Sequence, residues 1–428
     1  MPFEHIKFYQ TGTFTVGNRL LDVSNRAVQS DVRRSNTLNS GHRACQGCGE
    51  ALGARYAVDA AVRAADGNLI AVNATGCLEV FSTPYPETSW QVAWMHSLFG
   101  NAAAVAAGVA AAMKAQGRNE VRVIAQGGDG GTADIGMGCL SGMFERNDDV
   151  LYICYDNEAY MNTGVQRSGT TPAAARTATT PSVGSKPGNV FGQGKSVPLI
   201  AMAHMIPYVA TASVANLHDL EYKVEKAIAI HGARYIHVHV PCPLGWGSEP
   251  HDTIKVARLA VESGLFPLFE AEFGEVTERS IIRRKQPAEE YLKLQKRFAH
   301  LFRPKRDEER LAAIQAIADR NIQRFGLQNG ASSCVSLSPS PWTSAPAWPI
   351  TPVHGAPSGR STWIAFHLVT TRARRAKTFK LGSITPSRAT ITPPGSRWWR
   401  IIRCPRSWAA PATIPANRSA TARSSIMK

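Results

Sequence analysis

Gly127-Gly128-Asp129-Gly130 opens the stretch whose reading decides the fold, and Asp156-Asn157-Glu158-Ala159-Tyr160-Met161-Asn162-Thr163-Gly164 closes it. Just before it, the apolar run at 121–125 predicts a buried parallel strand; residues 133–145 predict a short helix and 150–155 a second buried strand. Open α/β sheets of this kind take ligands beyond the carboxyl ends of their strands. Asp129 and Asn157 are therefore predicted to stand just past two such ends. Glycines admit a phosphate to the backbone, a helix N-terminus favours its charge, and a carboxylate with amide and carbonyl oxygens suits a bridging divalent ion. The stretch reads as a site for a diphosphate and magnesium.

Working outward, 428 residues at 44% hydrophobic suffice for one large α/β domain with additions, or for two domains. The first residues show no basic segment followed by an apolar one, and the longest apolar stretch, 102–113, is too short to span a bilayer. A cytoplasmic protein with no membrane association is expected. The net charge of +16 points to nucleic acid only if it is spread over the fold. It is not: from Ala331 onward there are 14 Lys and Arg and no acid, leaving 34 basic and 32 acidic residues before it. That tail is rich in Ser, Thr, Pro and Arg and holds six of the nine tryptophans. We read 329–428 as a basic extension, either disordered or a frame-shifted translation.

Residues 1–40 carry no motif and are expected to form an arm packed on the main body or on a partner. A helix is predicted over 51–65, strands over 68–74, 208–212 and 235–240, and helices over 218–231 and 251–262. The alanine-rich run at 102–113 is expected to pack closely on the sheet. Residues 168–197 form a long Thr/Ser/Pro/Gly-rich loop, of a length that is usually functional. Charged amphipathic helices over 289–302 and 307–325 close the ordered part. The fold class is α/β, a doubly wound, mostly parallel sheet at 41–270 with a helical extension at 271–328.

Eight cysteines in such a chain are not a disulfide framework. Cys139 and Cys154 fall inside apolar patterns and read as core. Cys45, Cys48, Cys77 and Cys242 lie instead beside turns or strand ends. A Cys-x-x-Cys suits zinc, an iron-sulfur cluster or a redox dithiol, and spacing alone leaves these open.

Taken together, five motifs are similar to the β subunit of the 2-oxoacid:ferredoxin oxidoreductases. They are His42-Arg43-Ala44-Cys45-Gln46-Gly47-Cys48-Gly49-Glu50, Asn73-Ala74-Thr75-Gly76-Cys77, Gly128-Asp129-Gly130, the stretch Tyr155 to Gly164, and Pro241-Cys242-Pro243. The match covers roughly residues 40–325. The resemblance implies a thiamine diphosphate-binding fold holding thiamine diphosphate, Mg²⁺ and one 4Fe-4S cluster. It implies Asp129, Asn157 and the Ala159 carbonyl as magnesium ligands, and Gly128 and Gly130 as the diphosphate cradle. Asn162 and Glu50 take catalytic positions, Thr75 and Asn101 lie near the cofactor, and Cys45, Cys48, Cys77 and Cys242 ligate the cluster. The activity implied is oxidative decarboxylation of a 2-oxoacid, pyruvate or an aryl acid such as phenylglyoxylate, with coenzyme A. Electrons pass by the cluster to ferredoxin or to a flavoprotein linked to NAD. A glutamate that thiamine enzymes need is implied to come from an α subunit, so α, γ and ferredoxin-like subunits are expected partners. Two further readings compete: a non-redox thiamine decarboxylase, and a zinc-stabilised nucleic-acid-binding protein using the basic tail.

Overall fold

The structure, a computed structural model, describes residues 36–39, 41–83, 88–184 and 186–328. The readings of 1–35 as an arm and of 329–428 as a basic tail lie outside the described residues. At 36–39, Thr37 donates to Asp59 Oδ1 through its amide (2.8 Å) and hydroxyl (2.6 Å), and Leu38 bridges to Trp90, so this segment packs on the main body.

Among the described residues eight strands form one sheet: β1 (Leu69–Ala74), β2 (Ala93–Ser97), β3 (Arg122–Gly128), β4 (Val150–Asp156), β5 (Tyr208–Ser213), β6 (Arg234–His239), β7 (Phe269–Glu272) and β8 (Glu275–Arg279). Their order is β2-β1-β3-β4-β6-β5-β7-β8, with the first six parallel and the last two added antiparallel. The central strands are continuous apolar runs because both faces are covered, as parallel sheets require. Ile124, Leu151 and Ile236 pack beneath the helices α1 (Gly49–Ala64) and α6 (Leu217–Ala229). Val123, Ala125 and Tyr152 face the other layer, with α3 (Ala102–Ala115), α4 (Met137–Glu145) and α10 (Glu308–Phe325). Cys154 is fully buried in that layer and Cys139 packs against it, both as core residues.

Three elements depart from the sequence reading. β2 is an edge strand whose Trp94, Met95 and His96 give no apolar period. β7 and β8 form a hairpin at the start of the segment read as helical; β8, Glu-Val-Thr-Glu-Arg, is exposed throughout and is held by its pairing and by Arg279, which donates to Phe325 O at 3.4 Å. The helix expected over 133–145 begins earlier, as a π-helical turn at Gly131–Ile135, a form frequent at functional sites. The alanine-rich α3 buries Ala102, Ala103 and Ala106 and packs Val105, Val109 and Ala110 against the same layer, leaving its outer face exposed.

Candidate active site

The sheet delivers the predicted residues in spatial order. β1, β3, β4 and β6 are neighbours, and past their carboxyl ends come Cys77, Asp129, Asn157 and Cys242. The order of strand connection reverses about β1, which has β2 on one side and β3 on the other, the switch point at which such sheets open a crevice. A cleft of about 80 Å³ opens there. Glu50, Thr75, Cys77, Gly128, Asp129, Gly130, Asn157, Ala159 and Asn162 line it. Of the residues singled out from sequence, Asn101 stands outside the cleft lining, exposed at the start of α3. A larger cavity, about 360 Å³, lies beside α10 and touches Asp156, Glu158 and Thr170 from the opposite side. It gathers mostly apolar side chains and neither Asp129 nor a cysteine, so the smaller cleft is the candidate.

Asp129 is buried just beyond β3 and accepts hydrogen bonds from Ser168 and, at 3.0 Å, from Thr170, both on Oδ2. Burial, then the neighbouring charge of Asp156, pushes its carboxyl well above the usual range; a divalent cation beside it would reverse that. Asp156 is held by His237 (2.8 Å) and Thr170 (2.9 Å) and caps the turn by accepting from Glu158 N (2.8 Å). Glu158 is left at φ 67°, a left-handed conformation uncommon outside glycine. In this turn Trp246 takes the Asn157 carbonyl (2.8 Å) and Thr171 the Glu158 carbonyl (2.7 Å). The Asn157 amide donates to Glu50 Oε2 at 3.0 Å, while its Oδ1 is buried with no hydrogen-bond partner. An orphaned oxygen beside a buried carboxylate fits a hard cation. Gly130 is required where it stands, because a Cβ there would come within 2.4 Å of the Tyr160 ring, whose hydroxyl also reaches Asp134 at 3.0 Å.

Three segments bring the cysteines together. Cys45 and Cys48 flank a tight turn, with Cys48 N donating to Cys45 O at 3.1 Å; Gly47 is at φ 70°, and a Cβ on it would lie 2.4 Å from Pro250 O. Cys48 Sγ then caps α1, accepting from Ala51 N at 3.4 Å, and Cys242 Sγ likewise accepts from Gly245 N at 3.4 Å. Gly49 N donates to Pro241 O at 3.1 Å, joining these two turns. Cys77 feels the charges of Glu50, Cys242, Cys48 and Cys45, so the four thiols share one neighbourhood. Burial, then Glu50, pushes Cys48 up to about 12; burial pushes Cys242 up to about 11 and Cys77 higher still. Among the described residues no group of three His, Cys, Asp or Glu stands ready to hold a metal ion. Glu50 is buried between the cysteines and the cleft, and burial raises it to about 7 against the pull of the Asn157 amide and the Leu78 backbone.

Comparison with known proteins decides the family. The family model for the thiamine pyrophosphate enzyme, C-terminal TPP binding domain, matches residues 74–238. The chain is 51% identical over 292 residues to pyruvate synthase subunit PorB of Methanosarcina barkeri, covering 68% of this chain and 97% of that one. The chain belongs to the β subunits of the 2-oxoacid:ferredoxin oxidoreductases. PorB of Methanothermobacter marburgensis is 51% identical (67% of this chain, 96% of that one). The ketoisovalerate oxidoreductase subunit VorB of Pyrococcus abyssi is 43% identical (64% and 91%). This β subunit is thus part of an oxidoreductase with an α/β thiamine diphosphate-binding fold, and the decarboxylase and nucleic-acid readings give way to it. Among the described residues no helix is long and apolar enough to cross a membrane.

Sequence reading missed Ser168 and Thr170, which hold Asp129, and Trp246, which holds Asn157. Only the loop's length and the Gly-Trp-Gly after Cys242 signalled them.

Proposed function

We propose that the cleft holds the diphosphate of thiamine diphosphate through Mg²⁺, ligated by Asp129, Asn157 and the Ala159 carbonyl. In the same reading Cys45, Cys48, Cys77 and Cys242 hold one 4Fe-4S cluster. The observation that carries it is the buried, unpartnered Asn157 Oδ1 in a cleft that also contains Asp129 and Cys77. Mg²⁺ asks for oxygen ligands and keeps phosphate and water among them, so three protein oxygens suffice. The backbone donors on Cys48 and Cys242 suit cluster thiolates, whose potentials such hydrogen bonds tune. When bound, thiamine diphosphate supplies the electron sink that lets a 2-oxoacid lose CO₂, and the cluster accepts single electrons. The chain's own residues bind and orient. Asp129 and Asn157 fix the diphosphate end, Gly128 and Gly130 keep the backbone open to it, and Asn162 and Thr75 flank the opening. Glu50, buried beside the cleft, accepts from the Asn157 side-chain amide and holds it in orientation.

The reaction proposed is oxidative decarboxylation of pyruvate with coenzyme A, with electrons passing to ferredoxin, within a complex of α, β, γ and ferredoxin-like subunits. Pyruvate is favoured by the names of the relatives at 51% identity. The test is anaerobic purification of the complex: the β subunit should bring about four iron and four sulfide per chain. Zinc in place of iron would sink the cluster assignment.

A further inference from the structure

Asn157 is gripped at both ends, and both grips come from segments that carry cysteines. Glu50, two residues past Cys48, accepts from its side-chain amide. Trp246, four past Cys242, donates its indole N–H to the Asn157 carbonyl at 2.8 Å. That indole is fully buried, and the Arg297 guanidinium stacks on it at 3.9 Å. Arg297 also pairs with Glu158, the left-handed residue next to Asn157. One indole and the guanidinium stacked on it therefore hold an unfavourable turn at two successive residues, and the turn sets where Asn157 Oδ1 stands.

We propose that Trp246 is a positioning residue for the metal end of the cleft: by holding the Asn157 carbonyl it fixes the Asn157 side-chain oxygen, and it ties that oxygen to the turn bearing Cys242. This rests on the reading of Asn157 as a magnesium ligand. Removing the indole N–H leaves a buried carbonyl without a donor, a loss that the turn escapes only by relaxing. Cation affinity should then fall although no ligand has been changed.

The experiment uses the complete complex, with Mn²⁺ as an EPR-visible replacement for Mg²⁺, titrated in the presence of thiamine diphosphate. Trp246→Phe keeps the ring and removes the donor. It should weaken Mn²⁺ binding on the order of tenfold, excess Mn²⁺ should restore full thiamine diphosphate occupancy, and the iron content should match wild type. Asp149→Asn, at the opposite end of the sheet, lowers stability without touching the turn and should leave Mn²⁺ affinity unchanged. Wild-type affinity in Trp246→Phe would overturn the proposal, as would an equal loss in Asp149→Asn. If Trp246→Phe fails to fold by circular dichroism, Arg297→Met carries the test: a several-fold weaker affinity supports it and an unchanged one refutes it. A wild-type complex that binds no Mn²⁺ with thiamine diphosphate would instead bring down the cofactor reading itself.

Discussion

At the residue scale, the site turns on one carboxylate and one amide oxygen. Ser168 and Thr170 both bind Asp129 on Oδ2. Asp129→Ala should abolish Mg²⁺-dependent binding of thiamine diphosphate in calorimetry while leaving the iron content at wild type, since Asp129 is on a different strand end from every cysteine. Surviving binding would refute the magnesium assignment. Gly130→Ala drives a methyl into the Tyr160 ring and should cost about 1–3 kcal/mol by overpacking. It should also weaken thiamine diphosphate binding. Gly130→Ala combined with Tyr160→Ala should recover much of that stability in thermal melts, because the clash partner is gone. The residues that sequence could show were those inside compact motifs. Ser168 and Thr170 reach Asp129 across 39 and 41 positions from a loop where serine and threonine are common, so nothing local marked them.

At the scale of elements, the two ends of the sheet do different work. The carboxyl end holds the cleft; the opposite end is a charge cluster. Arg122 and Arg234, buried at the starts of β3 and β6, both donate to the Ile230 carbonyl that ends α6 and both pair with Asp149, placing positive charge where a helix C-terminus favours it. Burial alone would raise the Asp149 carboxyl, but Arg234, then His231 and Arg122, outweigh it and hold it below its ordinary 3.8. A carboxyl depressed in the fold adds stability above its unfolded value and loses it as pH falls through the folded one. Urea midpoints should therefore drop as pH goes below about 4, and Asp149→Asn should be less stable at pH 7 and flatter in that acid range. A steeper acid loss in the variant would contradict this. Elements buried on both sides, β3, β4 and β6, were legible as apolar runs. β2 and β8 were not, because an edge strand with exposed side chains carries no burial pattern.

At the scale of the whole molecule, this chain gathers the cleft and the four cysteines at the carboxyl end of one sheet, and in the proposed function these are the diphosphate and metal end of a cofactor site and a cluster nest. The outer face of α3 is exposed although no charge falls between Ala102 and Met113. We expect the isolated chain to bind thiamine diphosphate weakly and to show no 2-oxoacid turnover until the α subunit is added; full activity alone would contradict the split site. Among the described residues Leu327, buried and accepting from Ile282 N at 2.8 Å, is the last buried one, and a chain ending at 328 should keep its thermal transition within about 2 °C of full length. In the proposed function a thiamine site and an electron-accepting cluster act together. The most direct measurement is viologen reduction by the anaerobic complex given pyruvate, with and without coenzyme A, in wild type and Asp129→Ala. Reduction that requires coenzyme A in wild type, and is lost in an Asp129→Ala complex of unchanged iron content, is the predicted result. Acetaldehyde release with no viologen reduction would contradict it.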